Sequence, residues 1–86
     1  MNIKTRNEIA SWLLDRVAEG AHEEDGSMDW ESFNDGQEEH HVTISKSDGE
    51  YLVYMAERNF APDFILTSAS TEEEIQKLID EWYDEY

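Results

Sequence analysis

Residues 40–57 read HHVTISKSDGEYLVYMAE, two runs of β-branched and aromatic residues joined at Asp48-Gly49. That dipeptide tolerates the positive φ angles of a two-residue type I′ turn, so the spacing predicts a β-hairpin with its register set by the turn. Val42 then lies opposite Met55 and Ile44 opposite Val53 on one face, while Thr43 opposes Tyr54 and Ser45 opposes Leu52 on the other. The first set is wholly apolar and marks the core side of the pair.

Immediately before this hairpin, residues 21–39 read AHEEDGSMDWESFNDGQEE, with eight carboxylates and neither lysine nor arginine. The turn signals Asp25-Gly26 and Asn34-Asp35-Gly36 bracket Met28, Trp30 and Phe33, which are too apolar for a plain linker. We expect a short edge strand over 28–33. A turn at 34–36 pairs it with the strand starting at His40, giving a sheet of three or four strands. Earlier still, Thr5 and Glu8 have the spacing of a capping box. Ile9, Trp12, Leu13 and Val17 follow at helical intervals until Gly20, which predicts a helix over 6–19.

After the hairpin, Pro62 marks a connection over 58–63, and Phe64, Ile65 and Leu66 predict a strand over 64–67 with apolar groups on both sides. One side joins the core. On the other, Leu52, Tyr54, Ala56 and Ile65 form an apolar patch that Trp30, Phe33 and Phe60 are expected to cover. Ser70 and Thr71 stand three residues before Glu73 and Glu74 as two overlapping capping boxes. Ile75, Leu78, Ile79, Trp82 and Tyr86 then give the final helix its apolar stripe. The whole reads as one α+β domain over residues 1–86. An antiparallel β-meander of three to four strands carries the N- and C-terminal helices on the face of Val42, Ile44, Val53 and Met55.

Composition bounds the function. The chain has 86 residues, 22 acidic against 6 basic, and a formal net charge of −16. Magnitudes of about 2–8 suffice to keep a small domain soluble, so solubility does not account for this excess. The absence of cysteine removes disulfides, thiolate metal sites and thiol nucleophiles. With no signal-peptide core and no apolar run long enough to span a bilayer, the expectation is a cytoplasmic protein without a membrane partner. His40 and His41 are adjacent on a strand and point to opposite faces, so they do not share a metal. The glycines do not match the EF-hand spacing, and phosphate-loop, dinucleotide and serine-hydrolase motifs are absent. We therefore expect no cofactor and no catalytic residues.

Direct nucleic-acid binding fails on sign, because phosphates are neutralised by lysine and arginine. The same field suits a cationic partner. Glu23, Glu24, Asp25, Asp29, Glu31, Asp35, Glu38 and Glu39 form one candidate partner-binding group. Asp80, Glu81, Asp84 and Glu85 form a second, placed at a helix C-terminus where each negative charge costs about 0.3–1 kcal/mol. Reversing that second group to lysine is expected to stabilise the terminal helix slightly through the dipole. Carboxylates about 5–6 Å apart on a helix surface can occupy a basic groove as phosphates do.

In size, charge and architecture the chain resembles the small phage-encoded inhibitors of bacterial defence, the anti-CRISPR and anti-restriction proteins, many of which are acidic α+β DNA mimics. The resemblance implies an inhibitor acting in the host bacterial cytoplasm on a basic nucleic-acid-binding protein: a CRISPR effector first, whose channels for guide and target strands are long and basic, or a restriction effector. Immunity proteins against nuclease toxins and inhibitors of repair glycosylases share this charge. From another class comes a plain interaction module, a homodimer held by the apolar patch, with charge serving solubility.

Overall fold

The computed structural model describes residues 2–20, 24–55 and 60–85, with Glu85 described by its backbone only. The order is α1 (Ile3–Ala18), β1 (Met28–Asn34), β2 (Glu39–Ser47), β3 (Glu50–Tyr54), β4 (Phe64–Leu66) and α2 (Glu72–Glu85). The four strands form one antiparallel meander in the order β1-β2-β3-β4. Asp48 and Gly49 both take positive φ, 49° and 79°, as a type I′ turn demands. Thr43 accordingly pairs with Tyr54, Ile44 with Val53 and Ser45 with Leu52, as the turn requires. At the other end of β2, Asn34 pairs with Glu39 across the 35–38 connection.

Both helices lie on the face predicted from the hairpin. Val42, Ile44, Tyr51, Val53, Met55 and Leu66 from the sheet are buried with Ile9, Ala10, Leu13 and Val17 of α1 and Ile75 and Ile79 of α2. Removing so many apolar side chains from water, each worth about 1.5–3 kcal/mol, is the main force opposing chain entropy and self-repulsion.

The helix starts differ in two respects from the sequence reading. α1 begins at Ile3, and its cap is Asn2, whose side chain accepts from Thr5 N at 2.7 Å. Thr5 is instead a buried residue of the first turn. An Asn three residues ahead of Thr5 supplies the same oxygen one turn earlier and lengthens the helix. α2 uses one of its two capping boxes: Thr71 Oγ1 accepts from Glu74 N at 3.2 Å. Ser70 Oγ accepts from Thr67 N at 2.9 Å and closes the preceding turn.

The expected cover of the second sheet face does not form among the described residues. Phe33 sits on the helix side, edge-on to Trp12 at 6.0 Å. Strand parity explains this, since Phe33 is three residues from Trp30 and an odd interval places two strand side chains on opposite faces. Trp30 stays 64% exposed on the bare face and Phe60 is fully exposed. Ala56, expected in the same patch, lies outside the described residues, as do His22 and Tyr86.

Candidate functional site

The predicted acidic residues separate into groups with different surroundings. Glu24 and Asp25 are exposed just before β1, and Asp25 Oδ1 accepts from Asp48 N at 3.2 Å. This contact brings Glu24 and Asp25 beside the β2–β3 turn, where Asp48 and Glu50 are also exposed. The sequence reading missed those last two as members of an anionic pole. Their signal was their position next to the turn glycine.

A second pole forms at the opposite end of the sheet, about 20 Å away along the seven residues of β1. Here the 35–38 connection meets the last turns of α2. The His40 ring lies edge-on to Tyr83 at 5.9 Å, and Arg6 sits over the Tyr83 ring at 5.1 Å. Arg6 Nη1 reaches Asp80 Oδ1 at 3.0 Å and Asp84 Oδ1 at 3.9 Å. The like-charge pair Asp80/Asp84 is thus relieved by a cation from the other helix. Burial pushes the Tyr83 hydroxyl up to about 12. Glu81 remains exposed on α2, and Glu38 and Glu39 are exposed at the hairpin end.

Two of the predicted residues, Asp29 and Asp35, are only partly exposed and have partners within the fold. Asp35 is only 11% exposed, and its Oδ1 accepts from Glu38 N at 2.9 Å and Gln37 N at 3.0 Å, while His40 Nε2 lies 3.2 Å from Oδ2. The Glu38 amide first, then the Gln37 amide and the His40 ring, hold its carboxyl down to about 2. Asp29 projects to the helix side of β1, with Arg16 Nη1 3.5 Å away. Arg16 also pairs with Glu19 at 2.6 Å. Glu31 is exposed on β1 and accepts from Ser32 N at 3.0 Å through its own Oε1. Glu23 and the side chain of Glu85 lie outside the described residues.

The bare face carries the residue types of an acyl-transfer triad. Ser32 Oγ is 3.0 Å from His41 Nδ1, and Glu39 Oε2 is 3.8 Å from His41 Nε2. The group lies on an open sheet surface, and the backbone N–H beside the hydroxyl, that of Ser32, is already engaged by Glu31. An oxyanion would need pre-aimed donors at about 2.7–3.1 Å there. The Ser32–His41 contact links side chains of paired residues on β1 and β2. His40 and His41 do face opposite sides, towards Tyr83 and Trp30 respectively.

Among the described residues no group of three or more potential ligands is placed to hold a metal ion. Neither described helix is long and apolar enough to cross a membrane. No protein-family model, no curated protein and no solved structure matches this chain.

Proposed function

We propose that this protein is a binding inhibitor that occupies the basic nucleic-acid-binding groove of another protein, presenting carboxylates where that groove expects phosphates. One observation carries the reading: the density of net charge. The chain holds 16 net negative charges on a body 35 × 26 × 20 Å, so 35 Å divided by 16 is about one charge per 2.2 Å of its long axis. Duplex DNA carries about one per 1.7 Å. A groove built for a short stretch of duplex therefore meets a similar charge on a similar length.

The two acidic poles support the same reading, since exposed carboxylates stand at both ends of the sheet. Glu24, Asp25, Asp48 and Glu50 serve one end, and Glu38, Glu39, Asp80, Glu81 and Asp84 the other. Asp29 and Asp35 hold the frame. The target class is a bacterial defence effector, with a CRISPR effector as the first choice on the length of its basic channel.

The test is to immobilise the chain, pass bacterial extract over it at low salt and release the retained proteins with a salt step. The expected eluate is dominated by basic nucleic-acid-binding proteins. Each should lose affinity for a variant carrying Glu24→Lys, Asp25→Lys, Glu38→Lys and Glu81→Lys. An eluate without such proteins, or equal retention by that variant, would remove the mimic.

A further inference from the structure

We infer that the bare face of the sheet is a docking surface for an arginine-rich segment of a basic protein, with aromatic rings taking the place of bases. The face is ordered in transverse rows. Met28, Ser45, Leu52 and Ile65 line up across all four strands, and Trp30, Thr43 and Tyr54 across three. Met28, Trp30 and Ile65 are 61%, 64% and 46% exposed, unusual for large apolar groups sharing one surface. These rows contain no charged residue, whereas strand parity puts Glu39 at one end of the face and Glu50, opposite Ser47, at the other. Nine residues of β2 separate those ends, about 26 Å.

Charge decides the occupant. A second copy would bring together two chains of net charge −16, each with 22 acidic residues against 6 basic ones, so like charges would dominate the contact. A guanidinium satisfies both features, since it stacks flat on indole and phenol rings and pairs with carboxylates through two N–H groups. An extended segment of eight or nine residues spans the face from end to end. The inference rests on the mimic reading for its biological partner, because proteins that grip nucleic acids stack aromatic and arginine side chains on bases and pair arginines with phosphates. It names which surface of this chain plays which part.

The experiment uses the full chain with nona-arginine and nona-lysine peptides at about 0.15 M sodium chloride, where surface charges are screened beyond about 8 Å. Wild type should bind nona-arginine roughly fivefold tighter than nona-lysine, the margin that ring stacking supplies. Trp30→Ala should erase that preference while leaving the melting temperature within a few degrees. Amide shifts in the wild type should concentrate at Trp30, Thr43, Leu52 and Tyr54, a readout that needs no variant. Equal affinity for the two peptides, shifts confined to α2, or a Trp30-dependent dimer of this chain in sedimentation would overturn the docking surface. If the preference holds but duplex DNA fails to displace the proteins captured from extract, the mimic reading falls and the arginine-binding face stands. If captured proteins are displaced but the peptides are not discriminated, the reverse is true.

Discussion

The Trp82 indole donates from Nε1 to Asp63 Oδ1 at 3.0 Å, and Asp63 Oδ2 accepts from Met55 N at 2.6 Å. One carboxylate thereby ties the last turns of α2 to the backbone beyond β3, while Asp63 N bonds Val53 O at 2.8 Å. This acidic residue is held within the fold on both of its carboxylate oxygens. Asp63→Ala should destabilise the protein by about 1–3 kcal/mol, because two partly buried donors lose a charged acceptor. Trp82→Phe should cost less, and the double variant less than the sum of the two. Additive losses in denaturant unfolding would show that the bond does not couple helix to sheet.

Two groups give the stability a pH dependence. Asp35 has a folded pKa held down to about 2 by the Glu38 and Gln37 amides and His40. Its contribution is complete above its unfolded value near 4 and is lost as pH falls through about 2. Tyr83, pushed up to about 12 by burial, contributes fully below about 10 and loses that contribution as pH rises through 12. The stability gap between wild type and Asp35→Ala should shrink between pH 4 and 2. The gap for Tyr83→Phe should shrink from pH 10 to 12. Gaps independent of pH in melting experiments would contradict these assignments.

Charge reversal on α2 should depend on distance to Arg6. Glu81→Lys should be neutral or stabilise by a few tenths of a kcal/mol, about 0.3, through the helix dipole. Asp80→Lys should destabilise by about 1 kcal/mol, since it replaces a 3.0 Å ion pair with two like charges. Reversing all four C-terminal carboxylates therefore combines a gain from the helix dipole with the loss of the Arg6 pairs to Asp80 and Asp84. Equal effects at positions 80 and 81 would mean that Arg6 does not pair in solution.

With 22 acidic residues against 6 basic ones, self-repulsion opposes the compact state. Raising sodium chloride from about 0.01 to 0.15 M shortens the Debye length from roughly 30 to 8 Å, so the melting temperature should rise. A flat or falling melting temperature would place the counter-charges inside the fold.

The hairpin register was legible because Asp48-Gly49 admits one tight turn and the apolar alternation on either side admits one facing. The edge strand was legible from Met28, Trp30 and Phe33 standing between turn signals, but Asn34 belongs to the strand and the connection is residues 35–38, not a turn at 34–36. The opposite placement of Trp30 and Phe33 was also available, from their odd spacing. The choice of Asn2 over Thr5 as cap was not, since both residue types cap and each stands ahead of the same apolar stripe. The bonds from the Gln37 and Glu38 amides to Asp35 were also legible, since aspartate in a turn prefers nearby backbone amides. The pairing of Arg6 with Asp80 spans 74 positions and leaves no local trace, so the balance of charge at the end of α2 became visible only in the folded chain.

The most direct measurement takes one protein released from the immobilised chain by salt, purifies it, and titrates it with this chain at several salt concentrations with and without duplex DNA. The mimic account predicts that log affinity falls linearly with log salt and steeply, as for phosphate contacts. It also predicts that duplex DNA and this chain exclude one another from a single site. Simultaneous binding of both, with neither weakening the other, would contradict the central claim.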